Sequence, residues 1–163
     1  MRQTQQITGK IFDLEKLKRQ CKVWNLLGKK IAFTNGVFDI FHKGHIVLLC
    51  EAASFADILI VGVNSDASVK RLKGNNRPVN DQQSRALLLA SLIMVDAVSI
   101  FDEDTPLELI KNILPDVLIK GGDYNSNTIV GAKEVIANGG KIEIISLEEG
   151  YSTTGIIEKM KKI

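Results

Sequence analysis

Two histidines three residues apart, His42 and His45, sit where a short apolar run, Lys30-Ile31-Ala32-Phe33, passes through Asn35-Gly36 towards the mostly apolar segment Ile46 to Ala53. The first run has the length of a strand and the second is too long for one, so the order strand, glycine turn, helix follows. Residues three apart share a helix face, which puts both imidazoles on the first turn. There they can meet the oxygens of an anion that free backbone N–H groups and the helix dipole already favour. Gly44, between them, lets backbone and ligand approach closely. Zinc is a poor alternative, because two histidines without a third Cys, His or paired acidic ligand nearby make an incomplete site. Buried structural histidines would be the default for an isolated pair; the placement of the other polar clusters argues against that here.

The elements that must hold this pair can be followed along the chain. Residues 1–12 are expected to be loosely held. Asp13 caps a helix to about Leu27, with Leu14, Leu17, Cys21, Trp24 and Leu27 on one face and Gly28 past its end. Trp24 is expected in the core or at a subunit contact. After the histidine helix, Asp57 to Asn64 is a continuous apolar run, as a sheet strand covered on both faces should be. A short helix through Val69 to Leu72 stops at Gly74, and residues 75–78 form a loop. Asn80, with Gln83 as reciprocal partner, is expected to cap a helix whose body is Ala86 to Met94. Asp96 to Phe101 is a third strand. Thr105-Pro106-Leu107-Glu108 predicts a helix start with Thr105 as the cap. Asp116 to Lys120 is a fourth strand, Ile129 to Ala137 a helix, Lys141 to Ile145 an alternating edge strand, and Ser152-Thr153-Thr154 opens a last helix to about Lys161.

Five strands alternating with helices predict a single α/β domain built on a doubly wound, five-stranded parallel sheet of Rossmann-like type. In such a sheet every strand ends at the same edge. Asp39 to His45, Asn64 to Asp66, Gly121 to Tyr124 and Gly150 to Thr154 each follow a strand, so they converge, and that convergence marks a site more strongly than any one motif.

Composition narrows the function classes. The 163 residues are 45% apolar and 25% charged, ordinary for a globular domain, and the formal net charge of +2 gives no electrostatic reason to expect nucleic acid or an anionic membrane as partner. Cys21 and Cys50 lie in helical segments without a CxxC pattern, as packed, reduced thiols would. The polar N-terminus lacks an apolar signal core, and no run approaches the ~18 apolar residues of a spanning helix. A cytoplasmic protein is the expectation.

Gly36-Val37-Phe38-Asp39-Ile40-Phe41-His42-Lys43-Gly44-His45 resembles the HxGH signature of the cytidylyltransferase-like nucleotidyltransferases, and Ser152-Thr153-Thr154 resembles the family's second motif. Further matches follow in order: Val63 to Asp66, Lys70 to Gly74, Arg77 to Asn80, Arg85, Phe101 to Pro106, Leu114 to Asp116, Lys120 to Tyr124 and Gly131 to Val135. Together they resemble the adenylyltransferase half of the bifunctional heptose kinase/adenylyltransferase, over essentially Lys30 to Ile163. The division this implies is an N-terminal tail and packing helix over 1–29 and a nucleotidyltransferase domain over 30–163.

The resemblance implies transfer of an adenylyl group from ATP, bound with Mg²⁺, to D-glycero-β-D-manno-heptose 1-phosphate, giving ADP-heptose and pyrophosphate for lipopolysaccharide core or other surface glycan synthesis. A separate heptose kinase and a phosphatase would supply the sugar phosphate. By the same resemblance His45 contacts the transition state, His42 orients the triphosphate and Lys70 joins them as a catalytic cation. Thr34, Asn35, Gly36, Phe38, Gly44, Lys120, Gly121, Gly122, Tyr124, Ser152, Thr153 and Thr154 would surround the nucleotide. Asp39, Asn64, Asp66 and Asp123 would face sugar hydroxyls or a metal, and Lys73, Arg77 and Arg85 would contact phosphate. Glycerol-phosphate and choline-phosphate relatives carry a Lys where this chain has Val47 and an Arg where it has Leu147, which favours the heptose branch over CTP-using enzymes. A different transferase of the superfamily and a non-catalytic nucleotide-sensing module are the alternatives, and the sensing module would tend to lose a histidine. The N-terminal helix and Trp24 suggest a homodimer.

Overall fold

A computed structural model describes residues 5–122, 128–146, 150–151 and 153–160. Its elements run in the order α1 (Gln5–Thr8), α2 (Leu14–Leu26), β1 (Ile31–Gly36), α3 (Lys43–Ala53), β2 (Ile58–Asn64), α4 (Asp66–Lys73), α5 (Gln82–Ala90), β3 (Ala97–Phe101), α6 (Leu107–Ile113), β4 (Val117–Gly121), α7 (Ala132–Ala137), β5 (Lys141–Ile145) and α8 (Thr153–Met160). The strands form one parallel sheet in the order β3-β2-β1-β4-β5. The expected α/β class and parallel five-stranded sheet are therefore present, and Lys141–Ile145 is an edge strand.

Strand residues alternate between two cores because successive side chains point to opposite faces. Ala32, Leu59, Val61, Val63, Val117 and Ile119 pack with Leu49 and Ala52 of α3 and Ala86 and Leu89 of α5. Ile31, Phe33, Ile60 and Leu118 pack with Leu17 and Cys21 of α2, Ile110 and Ile113 of α6 and Val135 of α7. Both faces are dry, so the central strands read as unbroken apolar runs. Full burial of side chains such as Phe33, Ile60 and Leu118, each 0% exposed, contributes about 1.5–3 kcal/mol apiece.

The two edges of the sheet are finished differently. At the start of the strands, carboxylates serve the first backbone donors: Asp57 accepts from Lys30 N, Asp96 from Leu59 N and Asp116 from Ile31 N, at 2.7–2.9 Å. At the carboxyl edge the chain order reverses between β1 and β4, leaving a crevice of the kind that takes ligands in open α/β sheets.

Three local expectations are corrected. Within residues 1–12, expected to be loose, residues 7–12 are held: Ile11 bridges to Val98 of β3, Ile7, Ile11 and Phe12 lie against the cores, and the Lys10 amine donates to Leu92 O and Val95 O at 3.2 and 2.7 Å. Asp81, not Asn80, caps α5, accepting from the N–H groups of Gln83 and Ser84 at 2.9 Å, because Asn80 is held elsewhere by Asp39. Helix α6 has Pro106 at its cap position and no side-chain cap, so Thr105 does not fill that role. Trp24 is half-buried beside the α2 core and meets the Phe12 ring edge-on.

Candidate active site

The histidine pair lies where the sequence places it. His42 occupies the cap position of α3 in extended conformation, its carbonyl accepting from His45 N at 3.0 Å. The two imidazoles stack at 3.8 Å between centroids, and the Nδ1 atoms of both are buried with no hydrogen-bond partner. Phe38, itself at φ +49°, and Phe41 flank His45 at 5.1 and 5.3 Å. A non-glycine residue held in the left-handed region is a feature that accumulates at functional sites. Burial, with His42 and Lys73 adding to it, pushes His45 down to about 4, and burial also lowers His42. Both rings are thus neutral at pH 7, with ring nitrogens unspent.

A cavity of about 330 Å³ opens beside them, lined by Asn35, Gly36, Val37, Phe38, His45, Leu48, Asn64, Lys73, Lys120 and Gly121. Strands β1, β2 and β4 and helices α3 and α4 all contribute, which is the expected convergence. Gly62 makes the floor possible: a Cβ there would come 2.9 Å from the Phe33 ring and 3.2 Å from Asn35 Cβ. Gly44 has a similar part, since a Cβ would meet the His42 ring at 3.2 Å and Tyr151 Cβ at 3.4 Å.

Several expected site residues lie elsewhere or are already engaged. Thr34 is buried within β1 and does not reach the cavity, and Lys70 is exposed on α4 away from it. Gly122 is buried and donates its N–H to Ile145 O. Arg85, expected to contact phosphate, is only 2% exposed and donates to Val37 O, Asn80 O, Asn64 O and the Asp66 carboxylate at 2.6–3.0 Å. Asp39, expected to face sugar hydroxyls or a metal, is engaged within the protein. Its oxygens accept from Arg77 Nε, Val79 N and Asn80 N at 2.7–2.9 Å, and its carbonyl accepts from Asn80 Nδ2. Burial would raise the Asp39 carboxyl, but these donors outweigh it and hold it below the usual range. Arg77 spends Nε on this pair and keeps Nη2 buried without a partner. Thr153 and Thr154 stand at the start of α8. Asp123, Tyr124, Leu147 and Ser152 lie outside the described residues.

Tyr151 and Lys43 fall within two of the converging segments, but the pattern assigns neither a role. The Tyr151 ring lies 6.5 Å from His42, with the Lys43 amine 5.2 Å from its centroid. The tight fit at Gly44 has meaning only once Tyr151 is seen to lie against the start of α3.

Among the described residues no group of three or more His, Cys, Asp and Glu could hold a metal ion. A divalent cation at this site would take few protein ligands and keep several waters, as Mg²⁺ commonly does. No helix among the described residues is long and apolar enough to cross a membrane.

Comparison with known proteins agrees with this geometry. The chain is 52% identical over 151 residues to the bifunctional protein HldE of Caulobacter vibrioides, covering 93% of this chain and 31% of that protein. It is 56% identical over 135 residues to the protein of the same name from Cronobacter sakazakii, covering 83% of this chain and 28% of the relative. The chain thus spans under a third of these relatives' length. A Thermoplasma volcanium structure described as a lipopolysaccharide core biosynthesis protein superposes with a TM-score of 0.62 at 28% identity, over 77% of this chain and all of the other. Pantoate-beta-alanine ligase from Francisella tularensis shares the fold, with a TM-score of 0.56 at 17% identity over 94% of this chain and 78% of its own. The model of the cytidylyltransferase-like family matches residues 33–159, from β1 through the histidine pair into α8, and the chain belongs to that family of nucleotidyltransferases.

Proposed function

We propose that this chain transfers the adenylyl group of ATP to D-glycero-β-D-manno-heptose 1-phosphate, releasing pyrophosphate. A phosphate oxygen of the sugar attacks the α-phosphorus, the bond from that phosphorus to the pyrophosphate oxygen breaks, and no covalent enzyme intermediate is needed. The protein's tasks are then to align the reactants and to stabilise charge on the phosphoryl oxygens.

The observation that carries this reading is the charge and hydrogen-bonding state of the cavity. Among the described residues, Lys73 and Lys120 bring two cations to the cavity, His45 brings an unspent ring nitrogen, and no carboxylate lines it. Asp39 and Asp66, which follow the lining residues Phe38 and Asn64, are committed to Arg77 and Arg85. Such a chamber beside the N-terminus of an 11-residue helix suits phosphate-bearing substrates. His45 would meet the transferred phosphoryl group, and His42 the departing end of the triphosphate. The heptose acceptor is supported by the ordered motifs from Val63 to Val135 and by the similarity to the HldE proteins.

Pyrophosphate release across a grid of nucleoside triphosphates and phosphorylated acceptors tests the proposal. ATP with the heptose 1-phosphate should give the dominant signal. A rate several hundredfold higher for CTP with glycerol 3-phosphate or phosphocholine would overturn it.

A further inference from the structure

Helix α3 carries a single cation, Lys43, exposed at its first position, and position 47 on its next turn is Val. Positive charge inside the cavity therefore comes from other elements, and Lys120 is the deeper of the two sources. It lies at the end of β4, next to Asn35 of β1, where the chain order of the sheet reverses. Register pairs Phe33 with Leu118, so Asn35 and Lys120 stand side by side on one face of adjacent strands. The Lys120 amine donates to the Asn35 side-chain oxygen, a neutral acceptor, and no carboxylate pairs with it among the described residues. A half-buried ammonium with only an amide for company is costly, because burial is not offset by an opposite charge. Burial accordingly lowers Lys120 to about 8. Arg85 shows the contrast, since its buried charge has both a carboxylate and three carbonyls.

We propose that Lys120 is a catalytic residue whose ammonium takes a non-bridging oxygen of the phosphoryl group being transferred, opposite His45, with Asn35 as the positioning residue that aims it. The assignment rests on the nucleotidyl transfer proposed above and adds a group to it. His45 and Lys120 line the same 330 Å³ cavity from α3 and β4, so a phosphoryl group between them is approached from two elements. The free protein bears the cost of the bare ammonium, and the incoming phosphoryl group removes it. An interaction held ready in this way needs no rearrangement when charge develops.

Among the described residues, two other titratable groups line the cavity with Lys120. One is His45, neutral above about pH 4; the other is Lys73, which burial and then Arg77 lower while Asp39 opposes them. The test is a calorimetric titration of the full chain with Mg²⁺–ATP, without acceptor, from pH 7.5 to 9.5. The dissociation constant should rise at least tenfold over that interval as Lys120 loses its proton. Lys120→Met should bind ATP more weakly at pH 7.5 and show no such rise, and Lys120→Arg should bind with a flat profile. Lys73→Met should keep the rise, which separates the two lysines. In turnover, Lys120→Met should lower kcat by about 10²-fold.

Stability gives a readout independent of turnover. Between pH 8 and 10.5 the unfolded chain keeps a proton that the folded chain has lost, so stability increases with pH there, and below pH 8 the cost of the buried charge is borne in full. Lys120→Met should melt several degrees higher than wild type at pH 7, and the gap should narrow by pH 10. A lysine that merely held the fold together would give the opposite sign. A flat wild-type titration, or a rise that survives in Lys120→Met, would overturn the assignment. Neither result depends on which sugar phosphate is the acceptor, so failure of the heptose reading and failure of the Lys120 assignment are separately visible.

Discussion

Two polar clusters stand side by side at the carboxyl edge of the sheet, and their hydrogen bonding is opposite in kind. In the first, Arg85, Asp66, Asp39, Arg77 and Asn80 tie the turn after β1 to the end of β2 and the start of α5. Most of the buried donors find acceptors, while Arg77 Nη2 is buried without one among the described residues. In the second, His45 and Lys120 line the cavity, with His42 stacked on His45; two ring nitrogens are unpaired and the ammonium has, among the described residues, a neutral partner. The first cluster is a brace and the second a receptor. A satisfied buried network rigidifies, whereas an unsatisfied one costs stability and persists where a ligand completes it.

If that contrast is right, perturbing the receptor should abolish turnover at little structural cost, and perturbing the brace should unfold the protein. The largest effect is expected from chelation: EDTA should eliminate turnover by removing the cation that accompanies ATP, with the melting temperature of the nucleotide-free chain unmoved. A parallel fall in melting temperature would show a metal serving the fold instead.

Arg85→Met should come next. It strands three carbonyls and the Asp66 carboxylate, and breaking a buried pair by removing one partner costs roughly 3–5 kcal/mol. Urea denaturation measures this, and a loss below about 1 kcal/mol would dissolve the distinction between the clusters.

His45→Ala should lower kcat by about 10²–10³ with little change in ATP affinity, since a donor aimed at developing charge acts in the transition state. Its own acid sensitivity also reports the site. Because the folded pKa of about 4 lies below the ordinary 6.5, the unfolded chain takes up the proton first, and stability should fall as pH drops from 6.5 towards 4. His45→Gln should remove that part of the slope, as followed by melting temperature against pH.

Asp39→Asn should have the smallest effect, roughly 1.5–3 kcal/mol, because the amide keeps an acceptor oxygen but loses the charge that holds Arg77 and the loop at 77–80. With the folded pKa held below the usual 3.8, the carboxylate's contribution is fully present above that value and is lost as pH falls through the folded pKa. Acid unfolding should therefore begin at higher pH in wild type than a charge-independent brace would allow, and the variant should lose this component.

Much of this organisation was legible in the linear chain, for reasons that are local. A strand dry on both faces must be continuously apolar, which marks Ile58 to Asn64, and a turn into a helix needs residues such as Asn35-Gly36. Parallel strands end at one edge, so the alternation of elements was enough to bring His42, His45, Asn64, Lys120 and Gly121 together. The same local rules misplaced the caps at Asn80 and Thr105, where a neighbouring residue or a distant carboxylate won the competition.

What tertiary structure alone decided is which charges are spent. Arg77, Arg85, Lys73 and Lys120 look alike in sequence, yet Arg85 meets Val37 across 48 positions and Arg77 meets Asp39 across 38, while among the described residues Lys120 meets the neutral Asn35 across 85. The strand order β3-β2-β1-β4-β5, which makes β1 and β4 neighbours and opens the crevice between them, is equally invisible to local pattern. Propensity and periodicity act over a few residues, but the charge state and availability of a buried group depend on which remote atoms share its low-dielectric surroundings, and only the closed fold determines those.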